Sequence, residues 1–395
     1  MSEHRHYVIV GGGVAAISAA KAIRERQEAA EISIFGDESG LPYNRVKLSK
    51  GLFTDLHSDN VLIKKEKWYH EHKIAYHAGT PVVSIDPDSR TVMTGDGQAV
   101  QYDKLLLCTG AVNRKLNLEG ASLPHVHNIR SRNDADKLKQ ALQGGDRICV
   151  IGGGIQGVET AWSLNRAGYS VTIVEASPRL MARQLDERAA AILTEKIAEQ
   201  GTEIRLGQGV RRIAGISGVE GVELEDGSFL PCEHVVYSIG VIPNAELARQ
   251  SGLEVGAGIV VNEHMQTSAE HIYAAGDVAE FHGKAEGLWN SAMEQGKIAG
   301  ANMASDVAVY RRPVPMTVSA AFDTPLFSIG LTDEQQCDNS LSGPASGPYK
   351  RIFIKNGVIC GAVVFDNVSA ALPYKAAIEQ SLEITETELV HRLIH

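Results

Sequence analysis

Arg147-Ile148-Cys149-Val150-Ile151-Gly152-Gly153-Gly154-Ile155-Gln156-Gly157 passes from an apolar strand pattern into three consecutive glycines. A helical pattern follows from Val158 to about Ala167, and Tyr169-Ser170-Val171-Thr172-Ile173-Val174 reads as a second strand ending at Glu175. The turn is a full G-x-G-x-x-G: Gly152, Gly154 and Gly157 hold the glycine positions, Ile155 follows the second, and the acid stands 23 residues after Gly152. Each position has a physical task. The first glycine permits the tight turn, the second lets a pyrophosphate approach the backbone, and the third lets helix and strand pack closely. Amides at the helix start hold the phosphates. Glu175 accepts hydrogen bonds from an adenosine ribose and repels a 2′-phosphate, so the spacing favours NAD(H) over NADP(H).

The same grammar opens the chain. Tyr7-Val8-Ile9-Val10 is an apolar strand and Gly11-Gly12-Gly13-Val14-Ala15-Ala16 a G-x-G-x-x-A turn, with Gly11, Gly13 and Ala16 in the three positions. Ile17 to Arg26 is helical in spacing, and Glu31-Ile32-Ser33-Ile34-Phe35 is a second strand. Gly36 delays the acid, leaving Asp37 as the preferred ribose ligand and Glu38 beside it. A single glycine pattern is often only a turn, whereas strand, helix and acid recurring twice point to two nucleotide sites.

The duplication extends beyond the loops. Val82 to Ile85 and Thr91-Val92-Met93 flank the turn Asp86-Pro87-Asp88-Ser89, and Tyr102 to Gly110 is a buried strand ending in a turn. Val210 to Gly240 repeats that order, with a turn at Leu224-Glu225-Asp226-Gly227 and a strand from His234 to Gly240. After the linker Pro313-Val314-Pro315 come strand patterns at Tyr349 to Ile354 and Val358 to Phe365, then a helix from about Leu372 to Ser381. The expected fold is α/β. Two Rossmann-like dinucleotide-binding domains precede a small C-terminal α+β domain: residues 1–112 with 244–313 for the first, 113–243 for the second and 314–395 for the third.

Composition sets the outer limits. The 395 residues are 44% hydrophobic and 22% charged, which suits two to three ordinary globular domains and excludes disorder as the main state. The formal net charge of −10 gives no electrostatic footprint for nucleic acid. No run is apolar enough to span a bilayer, and the N-terminus lacks signal-peptide architecture. Cys108, Cys149, Cys232, Cys337 and Cys360 are widely spaced, which suits a reducing cytoplasm and provides neither a CxxC nor a CxxxxC redox pair. Among the 14 histidines, His70, His72 and His77, and also His4 and His6, form no HExxH or matched second pair, so no metal site is expected. The acidic run Glu379 to Glu388 reads as a solvated helix end and loop.

GGGVAA, the strand Leu105 to Gly110, GGGIQGVETA and Ala274-Ala275-Gly276-Asp277 together resemble the two-dinucleotide-binding-domain flavoproteins, the pyridine nucleotide-disulfide oxidoreductase superfamily. The resemblance covers essentially the whole chain. It implies FAD in the first domain and NAD(H) in the second, with Asp277 at the ribityl chain. Disulfide reductases of that superfamily carry a cysteine pair after the second strand, but this chain has Leu41-Pro42-Tyr43-Asn44-Arg45-Val46-Lys47-Leu48-Ser49-Lys50. That stretch resembles the rubredoxin reductases, Rieske-type ferredoxin reductases, apoptosis-inducing-factor-like proteins and nitrite reductase flavin modules. Pro178 to Asp186 resembles the rubredoxin and nitrite reductase groups especially closely. No cysteine cluster accompanies it for iron–sulfur or sirohaem centres, so the likeness to nitrite reductases stops at the flavin module.

The resemblance places Arg45 against FAD and Lys50 near flavin N5, where a cation stabilises the reduced ring. Cofactor contacts are also expected at Val82, Thr109, Gly110 and Gly240. Glu159 matches a position near the nicotinamide and flavin, although an acid near a helix start also has a capping explanation. In Glu286 to Gly300, Trp289 is a candidate to flank the rings, with core packing as its alternative, and Glu294 is a candidate near the nicotinamide. A flavin without an adjacent thiol pair hands its electrons directly to an acceptor. The expected function is therefore transfer from NADH through FAD to a small carrier, rubredoxin or ferredoxin-like. Arg45, Lys47, Lys50, Lys64, Lys65 and Lys67 are candidates for a basic docking patch that would make the carrier rate fall with salt. An NADH oxidase, an electron-entry subunit for nitrite or nitrate reduction, and an NADH-sensing flavoprotein resembling apoptosis-inducing factor are the alternatives. Monomer and homodimer both remain open.

Overall fold

The strand His6–Val10 occupies the centre of a five-stranded sheet in the computed structural model. The structure describes residues 5–344, 347–365, 369 and 371–383. Two compact units divide the chain: residues 1–46, 57–114 and 240–313 form the first, and residues 47–56, 115–239 and 314–395 the second.

In the first unit the sheet runs Ile272–Ala274, Lys104–Leu107, His6–Val10, Glu31–Phe35, Ala75–His77, every pair parallel. Val8 sits opposite both Ser33 and Leu105 and has no exposure, as a strand covered on both faces requires. Helix Val14–Arg24 packs against helix Trp289–Met303 through glycine. A Cβ on Gly296 would stand 2.2 Å from Ala15 O, and one on Gly300 2.4 Å from Ala19 O. Backbone therefore touches backbone, and any larger residue at either position separates the helices. Val82–Asp86, Thr91–Thr94 and Ala99–Gln101 form a separate antiparallel sheet, its first turn closed by Asp86 Oδ1 accepting from Asp88 N and Ser89 N.

The second unit repeats the plan. Its parallel sheet runs Glu203–Leu206, Ser170–Glu175, Arg147–Ile151, His234–Tyr237, Val126–His127, and Val210–Ala214, Gly221–Leu224 and Phe229–Pro231 form the accompanying antiparallel sheet. The same unit contains a five-stranded antiparallel sheet ordered Met316–Ser319, Leu326–Gly330, Val358–Val364, Lys350–Lys355, Asn339–Ser342. Helix Ala371–Glu379 closes it over Phe327, Ile329, Ile352 and Val364, with Tyr374 in the core. Three of these strands, Met316–Ser319, Leu326–Gly330 and Asn339–Ser342, lie outside the two segments the sequence pattern singled out. Tyr349 Oη donates to Asp186 Oδ1 at 2.7 Å and Ser328 Oγ to Gln184 O at 2.5 Å, tying this sheet to the start of helix Glu187–Glu199.

Both glycine helices start three residues earlier than their apolar spacing implies, at Val14 and Ile155. The third small residue of each loop, Ala16 or Gly157, consequently lies inside the first turn. His4 and residues 384–388 of the acidic run lie outside the described residues. No helix among the described residues is long and apolar enough to cross a membrane.

Candidate functional site

The glycine loops show at atomic level why the pattern is needed. Gly11 has φ +111°, and a Cβ there would meet Cys108 O at 2.1 Å; Gly152 has φ +108°, with Ser238 O at 2.4 Å. A Cβ on Gly157 would stand 1.9 Å from Gly152 O, so the helix start leaves no room for a side chain. Gly13 and Gly154 are different, because a Cβ at either meets nothing within 4 Å. Their space opens in front of a helix N-terminus.

Those N-termini lack protein partners of the usual kind. Helices Val14–Arg24 and Ile155–Arg166 have no side-chain cap and no acid in their first turn. Helix Trp289–Met303 also starts uncapped. By contrast, Ser131 caps Arg132–Ala141 with a full capping box and Asp186 caps Glu187–Glu199. Uncapped amides beside an open glycine cradle fit a pyrophosphate in each unit.

Glu175 sits at the second cradle. Its Oε2 accepts from Gly153 N at 2.6 Å and its Oε1 from Ser177 N at 2.7 Å, so its charge is fixed beside the turn. In the first unit the two acids differ. Asp37 is exposed, whereas Glu38 accepts from Tyr43 Oη at 2.8 Å and from Arg45 Nη2 at 2.5 Å. Arg45 is thus positioned by Glu38 and lies over the Tyr43 ring.

Gly276-Asp277 is held by a residue the motif reading missed. Gly276 N donates 2.8 Å to Oε1 of Gln295, a buried side chain of helix Trp289–Met303. Trp289 is the half-buried first residue of that helix, and Glu294 pairs with Lys297 at 3.5 Å along it. Thr109 Oγ1 donates to Asn244 O at 2.7 Å, next to Gly110 at φ +69°. Gly240 has φ +99° and accepts from Arg114 N, while Val82 is half-buried at the start of its strand.

In the second unit, Lys50 and Glu159 meet. Lys50 Nζ lies 3.3 Å from Glu159 Oε1 and donates to Val318 O at 3.1 Å. Ser49 Oγ donates to Glu159 Oε2 at 3.1 Å, and Ser319 Oγ to Oε1 at 3.4 Å. Ser163 Oγ, one turn further along the Glu159 helix, fixes Ser49 by donating to its carbonyl at 2.6 Å. Glu159 is buried, and that burial raises its carboxyl above the ordinary range despite the opposing pull of Lys50 and both serines. The helix begins four residues earlier, so Glu159 lies beyond its first turn and is no cap.

The thiols are unsuited to a relay. Cys108, Cys149 and Cys232 are buried, and burial pushes each thiol up, Cys232 to about 12. Cys337 and Cys360 approach to 3.8 Å between sulfurs, again with both thiols raised. Protonated thiols are weak nucleophiles. The lysine-rich stretch is also less exposed electrically than its sequence implies: Lys65 lies 3.5 Å from Asp59, Lys67 3.4 Å from Glu71, and Lys64 covers the Trp68 ring.

The family model for pyridine nucleotide-disulphide oxidoreductases matches residues 5–299. The chain belongs to that family. The model for the rubredoxin NAD+ reductase C-terminal domain matches residues 315–382. A rubredoxin-NAD(+) reductase of Ectopseudomonas oleovorans is 39% identical over 274 residues, which cover 69% of this chain and 71% of that one. A nitrite reductase [NAD(P)H] of Bacillus subtilis is 32% identical across 98% of this chain, which spans only 48% of that protein's length. A putidaredoxin reductase solved in covalent complex with putidaredoxin superposes with a TM-score of 0.89 at 28% identity, covering 96% of this chain and 94% of the other. Members of this oxidoreductase family use FAD together with a pyridine nucleotide.

Proposed function

We propose that this family member is an FAD-dependent NADH oxidoreductase that delivers electrons to a small redox protein of the rubredoxin or ferredoxin type. The observation that carries this reading is the Lys50–Glu159 ion pair, its carboxylate buried, in a chain whose described cysteines are all free. In this reading residues 1–112 with 244–313 bind FAD, residues 113–243 bind NADH, and residues 314–395 form the third domain. When bound, FAD accepts a hydride and releases electrons singly. Gly13 and Gly154 keep the phosphate paths clear, and the uncapped amides behind them hold the phosphates. Asp37 and Glu175 take the riboses, and Glu175 rejects a 2′-phosphate. Lys50 contributes positive charge, with Glu159 holding its ammonium in one place. Three buried free thiols support a cytoplasmic location.

Reaction of the NADH-reduced protein, kept free of oxygen, with rubredoxin, ferredoxin and then oxygen tests the proposal. Rapid reoxidation by a carrier alone supports it. Rapid reoxidation by oxygen favours an oxidase, and slow reoxidation by all three favours an NADH sensor. A second reading, an electron-entry module for nitrite reduction, is favoured by the near-complete coverage of this chain by half of the nitrite reductase. Electron delivery to a sirohaem partner in preference to either carrier would establish it. Carboxylates beside Arg45, Lys50, Lys65 and Lys67 weaken the expected steering field, so ionic strength should alter the carrier rate only a few-fold.

A further inference from the structure

His125-Val126-His127 carries two histidines two residues apart, the first just before a short strand and the second within it. Val126–His127 is the edge strand of the second unit's parallel sheet, and His127 pairs with Val236 of the neighbouring strand. His234, two residues before Val236, therefore faces the same way. The next strand pairs Ile148 with His234, and Asp146, two residues before Ile148, joins the face as well. The topology brings together residues 107 positions apart.

The distances suit coordination. The three imidazole donor atoms lie within 4.8 Å of one another. His234 Nδ1 and His127 Nε2 are 3.4 Å apart, and two nitrogens bound at about 2.0–2.1 Å to a tetrahedral ion are separated by roughly that distance. His234 Nε2 lies 3.0 Å from Asp146 Oδ2, leaving Nδ1 as the ring's lone-pair atom. Asp146 is fixed in turn by Gln143 N, which donates to the same oxygen at 2.7 Å. A carboxylate bonded to the far nitrogen of a ligating histidine is the common outer shell of such sites.

We propose that His125, His127 and His234 bind one divalent first-row transition ion of the zinc type, with Asp146 as the positioning residue for His234. Three neutral nitrogen donors select such an ion over magnesium or calcium, which prefer oxygen. His234 is buried, His127 half-buried and His125 exposed, which gives the ion an approach from solvent and leaves a fourth position for water. Gly218 lies against the His125 ring, where a Cβ would stand 3.1 Å from Cδ2. Val235 N donates to His125 O at 3.0 Å, holding this residue at φ +70°, an uncommon conformation for a non-glycine residue. An Asp146–His234 bond alone would explain one buried histidine, but it gives no reason for two further rings at ligand distance.

The test uses the full-length FAD-loaded protein, treated with chelator and then titrated with cobalt(II) chloride, with d–d absorption and calorimetry as readouts. One ion per chain with intense tetrahedral bands, displaced by zinc chloride, is expected. His125→Ala and His127→Ala should each weaken binding at least 100-fold, and Asp146→Asn should weaken it about 10- to 100-fold. His282→Ala, an exposed histidine elsewhere, should leave it unchanged. Flavin absorption and reduction by NADH verify that each variant is folded, and His125→Gln serves as a milder substitute if an alanine variant is not. Failure to bind cobalt at micromolar concentration, or equal binding by folded His125 and His127 variants, overturns the proposal.

Discussion

Glu159 and Lys50 form a 3.3 Å ion pair in which the carboxylate is almost fully buried and the ammonium is partly exposed. Burial is the largest influence on Glu159 and raises its affinity for a proton in the folded state above that in the unfolded chain. The associated stability is fully present below the ordinary carboxyl range and is lost as pH rises through the elevated value. Glu159→Gln removes this titration. Thermal melts across the acidic to neutral range should show wild type losing stability relative to the variant as pH rises. A constant difference would contradict the burial argument.

Removing the cation has a different consequence. Lys50→Met leaves Glu159 with two serine donors but without its opposing charge. A destabilisation of about 2 kcal/mol is expected at neutral pH, because a buried charge loses its partner. Lys50→Met combined with Glu159→Gln should recover part of that loss. Chemical denaturation of both single variants and the double variant measures the coupling, and strict additivity would place the two residues outside one another's influence.

Gly11 and Gly13 separate folding from binding within a single loop. Gly11→Ala drives a Cβ into Cys108 O from a left-handed backbone, so soluble folded protein should be scarce. Gly13→Ala meets open space at φ −100° and should fold with an apoprotein melting temperature within a few degrees of wild type. Its FAD affinity should fall at least tenfold, since the methyl group enters the phosphate path. Flavin content after dialysis distinguishes the two. Unaltered FAD retention by Gly13→Ala would place the cofactor elsewhere.

Much of the fold was legible because its signals are local. The two glycine patterns each sit in a short run between a strand and a helix and so exposed the duplicated plan, although only the contact of Gly157 with Gly152 O is local: Gly11 meets Cys108 O and Gly152 meets Ser238 O, both far along the chain. The candidate site was legible only one residue at a time. Lys50 and Glu159 stand out separately in sequence, but their pairing spans 109 positions and depends on how the second unit assembles. Ser319 completes the same environment from another 160 residues along the chain. Gln295 left no motif because its role is to satisfy one backbone amide, a task many polar residues perform. His125-x-His127 was not singled out among the histidines, because only strand pairing brings His234 beside it.

Gln295→Leu tests the role of that amide. It retains the buried volume but leaves Gly276 N without its acceptor, at a cost of about 1–3 kcal/mol. Because Asp277 follows directly, flavin release should accelerate along with the loss of stability. Gln295→Glu retains an acceptor and should restore much of the flavin retention. Equal flavin loss in both variants would show that the amide bond is not what positions Asp277.

Glu175 provides the sharpest test of nucleotide choice. Both its oxygens are engaged by backbone amides, at 2.6 and 2.7 Å, which fixes a negative charge beside Gly153. Glu175→Gln preserves one acceptor and most of the shape while removing that charge. The ratio of kcat/KM for NADPH to that for NADH should increase about tenfold, equivalent to about 1.4 kcal/mol of relieved repulsion. Adding an arginine at Ser177, whose amide contacts the same carboxylate, should increase the ratio further by offering the 2′-phosphate a partner. Steady-state kinetics with both nucleotides and a common artificial acceptor measures the change independently of the physiological carrier. An unchanged ratio in Glu175→Gln would remove Glu175 from the ribose site, since no other effect of this substitution should oppose a gain for NADPH.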